Sequence, residues 1–136
     1  MSKIKTYIDA DVLIAAFRGE EAICRKAMEI IDDPERQFIV SDYLKLEVIP
    51  KPTFHRFKEE MEFMETFFNS AWLNVDATPS ITTKAITLAC QYNLGVLDAL
   101  HAGTVAESET DVFITLERPT SPLCQVQEIR IESLRI

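Results

Sequence analysis

The chain has 136 residues, 47% of them hydrophobic, with a formal net charge of -8. That length normally folds as one domain around one core, so residues 1–136 are expected to form a single domain. No apolar run nears the roughly 18 residues of a membrane span, the first residues lack the apolar block of a signal peptide, and the acidic balance argues against holding nucleic acid mainly by wrapping its phosphates. A cytoplasmic location fits these exclusions. The acidity leaves room for nucleases, because carboxylates recruit divalent cations and the cations then meet phosphate. Cys24, Cys90 and Cys124 are odd in number, far apart and without a CxxC pair. They read as reduced, mostly buried thiols, not as a disulfide frame or a zinc site.

In chain order, strand-like runs alternate with amphipathic helical stretches, which predicts an α/β domain with a mainly parallel sheet. Residues 4–8 alternate apolar and polar side chains and end on Asp9. A short helix over 12–17 closes at Gly19. A second helix over 20–33 lines up Ile23, Ala27, Ile30 and Ile31, and Pro34 ends it. Residues 37–40 form a second strand, after which Ser41 and Asp42 suit the cap of a helix carrying Glu47. Pro50 and Pro52 are expected to break the chain. The helix over 53–71 has two apolar rows, one with Phe57, Met61, Met64 and Phe68, the other with Phe63 and Phe67. Residues 72–75 read as a third strand. Thr78-Pro79 caps a helix for which Gly95 supplies a left-handed C-cap. The helix over 96–107 carries Ala99, Ala102, Gly103 and Ala106 at helical spacing, which predicts close helix packing. Residues 112–115 make the fourth strand, and the alternating tail, 126–136, supplies a fifth.

The candidate chemistry lies at strand ends. Asp9 follows the first strand directly, where ligands bind in a parallel α/β sheet. Thr115 ends the fourth strand and Glu117 follows two residues later. Asp98 sits in the first turn of a small-residue helix, and Glu47 lies on a rather apolar short one. Each acid has a plainer explanation when taken singly. Asp9 or Asp11 would cap a helix, Asp98 would favour the helix dipole, and Glu47 would be solvated. Taken jointly, three or four acids at strand ends and early helix turns converge without strain. Packed carboxylates repel one another unless a cation neutralises them, and magnesium prefers such oxygen ligands.

The ordered segments Tyr7-Ile8-Asp9-Ala10-Asp11-Val12-Leu13-Ile14, Leu46-Glu47-Val48, Leu97-Asp98-Ala99-Leu100-His101-Ala102 and Phe113-Ile114-Thr115-Leu116-Glu117 resemble the motifs of PIN-domain nucleases. The nearest type is the VapC toxins of bacterial toxin–antitoxin pairs. The resemblance spans Asp9 to Glu117. It implies a five-stranded parallel sheet in a three-layer α/β/α sandwich, and cleavage of single-stranded RNA with magnesium or manganese. It also implies that Asp9, Glu47 and Asp98 are metal ligands, that Glu117 completes the cluster and that Thr115 assists. A small antitoxin protein and a homodimer are the partners it suggests, the two-rowed helix being a place for either. Two positions depart from the pattern. Asp11 stands where Asn, Ser or Thr is commoner, and Glu117 where Asp is commoner.

Several further residues are candidate substrate contacts. Asp11 adds charge at the site, and His101 lies on nearly the same helical face as Asp98, where a packed structural histidine is an equal reading. Lys45, Lys51, His55, Arg56 and Lys58 surround the two prolines, and Arg118 adjoins Glu117. Each is also explicable as an ordinary solvated cation. Three other assignments stay open: a PIN-like binding module without catalysis, a haloacid-dehalogenase-like phosphatase suggested by Asp9-Ala10-Asp11, and a receiver-like module. The phosphatase is opposed by Leu13 at its fifth motif position, by the lack of a clear lysine motif and by little room for a cap. The receiver would need an acid ending its third strand, and Val75-Asp76 offers one awkwardly.

Overall fold

Ile4–Ile8 (β1) is the central strand of a sheet whose side chains separate two cores; the computed structural model describes residues 2–135. β1 pairs in parallel with Arg36–Ser41 (β2) on one side and Val112–Thr115 (β4) on the other. Leu73–Val75 (β3) and Ile131–Ser133 (β5) form the edges, so the strand order is β3-β2-β1-β4-β5, all parallel. The period of two along each strand decides the layering. Ile8, Val40 and Ile114 point to one face. There they pack with Val12, Leu13, Ala27, Met64 and Phe67 from Ala10–Arg18 (α1), Glu21–Ile31 (α2) and Lys58–Asn69 (α5). Tyr7, Ile39 and Phe113 point to the other. They meet Leu88 of Pro79–Tyr92 (α6) and Ala102 and Val105 of Val96–Ala106 (α7). The result is the expected three-layer α/β/α sandwich.

The small-residue stripe does what its spacing predicts. A Cβ added to Gly103 would stand 2.9 Å from the carbonyl oxygen of Ile81, so α6 and α7 approach more closely there than alanine permits.

Four local expectations need correction. Pro50 and Pro52 do not break the chain: Pro50 opens a short helix, Pro50–Phe54 (α4), as proline at the first turn does. The break falls instead between α4 and α5, where Arg56 adopts φ 57°, so the long helix over 53–71 is two helices. The left-handed cap after α6 is Asn93, at φ 58°, whereas Gly95 is extended and serves as the N-cap of α7. Asn tolerates that region because its short polar side chain can hydrogen-bond locally. The tail contributes only three residues to the sheet, and Ile136 lies outside the described residues. The thiols are also less sheltered than expected, Cys24 and Cys124 being half-buried and Cys90 exposed.

Candidate active site

The carboxyl ends of β1, β2 and β4 meet at one edge of the sheet, and each ends in a polar residue that sequence places at a helix start or loop. Asp9 is buried and caps α1, its Oδ1 accepting the Val12 amide at 3.1 Å. Its Oδ2 accepts a hydrogen bond from Thr115 Oγ1, which in turn accepts the Glu117 amide at 3.0 Å. The capping explanation for Asp9 is therefore correct for one oxygen, and the other is held by Thr115. Burial outweighs these hydrogen bonds and pushes the Asp9 carboxyl up to about 6, with the Asp11 charge adding to the rise.

Asp98, in the first turn of α7, faces the same space. Its carboxyl is raised by burial first, then by the charge of Glu117, with smaller contributions from Glu47 and Asp11, against a lowering by His101. Glu117, Glu47 and Asp11 thus all act electrostatically on Asp98. Among the described residues, no three His, Cys, Asp or Glu side chains stand close enough together to hold one ion as they are.

Glu47 is engaged elsewhere. It lies on Asp42–Val48 (α3), which Ser41 caps by accepting the Leu44 amide at 3.1 Å. Glu47 Oε1 is hydrogen-bonded to His101 Nε2, and the Glu47 side chain is 23% exposed, not fully solvated. His101 Nδ1 shares a hydrogen bond of 2.6 Å with the Tyr7 hydroxyl, and that hydroxyl shares another of 2.6 Å with Ser41 Oγ. Four elements, β2, β1, α7 and α3, are thereby tied by one largely buried polar chain, Ser41–Tyr7–His101–Glu47. Burial keeps the Tyr7 phenol neutral, since desolvation raises it well above its ordinary value. His101 is 2% exposed, so the structural reading of it outweighs the substrate-contact reading.

The remaining candidates divide. Arg118 and Asp11 border the same cleft as Glu117. Lys45 lies over the Phe68 ring, its Nζ 5.7 Å from the centroid, in a separate groove between α3, α4 and α5. Lys51, His55, Arg56 and Lys58 are exposed on and beyond α4. Sequence reasoning passed over Tyr7 and Ser41 as partners of the site, and Arg18 and Arg135 as neighbours of Glu117. A tyrosine near the end of the first strand, two positions before Asp9, was the available signal for the first. The arginines gave none, since their proximity is purely tertiary.

A model of the PIN domain matches residues 6–118. The chain belongs to the PIN domain family. Among solved structures, this PIN domain is similar to a toxin–antitoxin complex from Klebsiella pneumoniae at 17% identity and a TM-score of 0.71, covering 96% of this chain and 99% of that one. It also resembles VapBC2 from Rickettsia felis, solved with a promoter DNA fragment, at 11% identity and a TM-score of 0.71, covering 96% and 98%. DNA-bound VapBC from Salmonella typhimurium follows at 16% identity and a TM-score of 0.66, covering 96% and 98%. At such identities the likeness establishes the fold. No sequence match was found among curated proteins.

Proposed function

We propose that this PIN-domain protein is an endoribonuclease that hydrolyses single-stranded RNA with magnesium or manganese, and that it is the toxin of a toxin–antitoxin pair. The observation that carries the reading is a set of acids held where ionisation is costly: Asp9 is raised by burial and then by Asp11, and Asp98 is raised by burial and then by Glu117, Glu47 and Asp11. A fold keeps such an arrangement when a cation offsets it. The donors are all hard oxygens, which suits magnesium or manganese better than zinc. Asp9, Asp98, Glu47 and Glu117 would hold the ion. When bound, it supplies the Lewis acidity that activates water and offsets charge on the phosphate oxygens.

The chain's own residues do the positioning. Thr115 fixes the Asp9 carboxylate by donating to Oδ2 while Val12 holds Oδ1. His101 orients Glu47, and Tyr7 and Ser41 orient His101, which is how outer partners usually hold site carboxylates. An antitoxin segment would fit the groove lined by Val48, Ile49, Pro52, Met61 and Phe68, about 340 Å³ in volume. The exposed Phe54 and Phe57 beside it would serve the same partner or a second copy of the chain.

A non-catalytic binding role is the second reading, favoured by the tie between Glu47 and His101 and by the absence of a ready-made three-ligand group among the described residues. Incubating purified protein with a mixed RNA pool in magnesium, manganese or chelator separates the two. Metal-dependent cutting that disappears in Asp98→Asn supports the enzyme. Cation binding by a well-folded protein that never cuts supports the binding module.

A further inference from the structure

Glu117 borders a second feature that the acids alone do not explain. A cleft of about 700 Å³ opens between the end of α1 and the loop after β4. Asp11 and Glu117 line it, and so do three arginines from distant parts of the chain, Arg18, Arg118 and Arg135. Opposite charges in one cleft normally pair. Here none of the three arginines forms a salt bridge with Asp11 or Glu117 among the described residues. Arg18 leans instead on the buried Glu60, 3.5 Å away, and Arg135 donates from Nε to the Leu116 carbonyl at 2.6 Å. Those contacts fix two of the guanidinium groups and leave most of their N–H donors unused. Arg118 has no side-chain partner among the described residues. Ser121 also lines the cleft, and its hydroxyl is shielded from solvent with no hydrogen-bond partner.

Fixed guanidinium groups favour phosphate over other anions, because several N–H donors in a plane match its oxygens. We infer that this cleft is a phosphodiester-binding subsite, in which Arg18, Arg118 and Arg135 hold the RNA backbone phosphate next to the one presented to the acids. The separation of charge then has a purpose: the acidic wall takes the cation and the arginine wall takes the adjacent phosphate. This also accounts for how a chain of net charge -8 would hold a polyanion. The inference rests on the ribonuclease reading, and it concerns binding.

The test is equilibrium binding of a fluorescent single-stranded RNA 12-mer in chelator, where no metal-dependent cleavage occurs. It compares the wild-type protein with Arg118→Gln/Arg135→Gln, Arg118→Glu and Arg25→Gln. The double variant is expected to bind about tenfold more weakly, with the salt dependence reduced by up to roughly 0.7 in slope, the single-strand value for one lost phosphate contact. Arg118→Glu keeps the contacts of Arg135 intact and is expected to lose at least as much as neutralising Arg118 would. Arg25→Gln, on the exposed face of α2, should leave binding unchanged. A 5′-mononucleotide should compete only far above the oligonucleotide's concentration; competition at equal concentration would make the cleft a terminal-phosphate pocket and overturn the assignment. Unaltered RNA binding by folded Arg118→Glu also overturns it. If the wild-type protein never cuts RNA in metal yet binding keeps its arginine dependence, the nuclease reading fails and the subsite stands.

Discussion

The two flanks of the acid cluster are built in opposite ways. On one side, Ser41, Tyr7 and His101 form a dry chain of hydrogen bonds that ends on Glu47, each member buried and each tied to a different element. On the other, Arg18, Arg118 and Arg135 face an open cleft with their charge left unneutralised by the acids beside them. The first flank gains rigidity from low dielectric, where satisfied hydrogen bonds are strong and unsatisfied ones costly. The second keeps hydrated, free charge where a ligand can reach it. A site that must hold carboxylates still while admitting a flexible polyanion needs both, and the fold assigns one to each side of β1 and β4.

The largest effect should come from the acids between the flanks. Asp98→Asn removes a carboxylate from the proposed ligand set, and RNA cleavage in saturating magnesium should fall by a factor of about 1,000 or more, given the several kcal/mol that metal-centred charge stabilisation supplies. The fold should survive, since the substitution relieves repulsion from Glu117 and Glu47. Residual cleavage within tenfold of wild type would remove Asp98 from the reaction.

Next in size is a pH effect carried by Asp9. Its carboxyl titrates near 6 in the folded protein, above its ordinary value of 3.8, so the native state binds the extra proton between those values. The metal-free protein is therefore favoured by this group below about pH 4, and loses that stability as pH rises towards 6, by up to about 3 kcal/mol. Chemical denaturation in chelator from pH 4.5 to 7.5 should show the decline in wild type and lose it in Asp9→Asn. A divalent cation should raise the wild-type midpoint more at pH 7 than at pH 5. Identical pH profiles for the two proteins would sink the argument.

How much of this was legible beforehand varies with the distance over which each feature is determined. The strands and their mainly parallel sense follow from strand periodicity and amphipathic helices, which are local patterns, whereas the five-stranded, three-layer arrangement was implied by the resemblance to PIN-domain nucleases. Asp9, Asp98, Glu117 and Thr115 were readable because strand ends and helix starts mark the edge of a parallel sheet where sites form. The α4–α5 break was misplaced because proline punctuates in two ways, ending one helix or opening the next, and only the left-handed turn at Arg56 shows which. Asn93 took the cap expected of Gly95 for a similar reason: both residue types reach that backbone region, and the end of α6 decided between them. The partners of the site were not legible at all. Tyr7 and His101 stand 94 residues apart, and Arg18 and Arg135 approach Glu117 only through packing of α1 and the tail.

The rigid flank can be tested without touching an acid. Tyr7→Phe keeps the aromatic packing against Phe113, at 5.3 Å between centroids, and removes only the hydroxyl. His101 Nδ1 then has no partner in a buried setting, which should cost about 2 kcal/mol of stability. Cleavage should fall roughly tenfold or more, as it does when an outer partner of a metal ligand is lost. A stable variant with full activity would show that the chain beyond Glu47 is ornamental.

The smallest expected effect separates the open flank from the other basic region. Lys45 and Lys51 lie near Glu47 in sequence, but Lys45 is spent on the Phe68 ring and Lys51 is solvated on α4. Neither lines the cleft shared by Glu117 and the arginines. Lys45→Gln/Lys51→Gln should change RNA affinity by less than about twofold, since a solvated cation away from the phosphate path contributes only screened, long-range attraction. A loss as large as that of Arg118→Gln/Arg135→Gln would mean that the strand runs over α3 and α4 as well. The comparison would then have to be redrawn, with the apolar groove beside Lys45 carrying substrate in place of a protein partner.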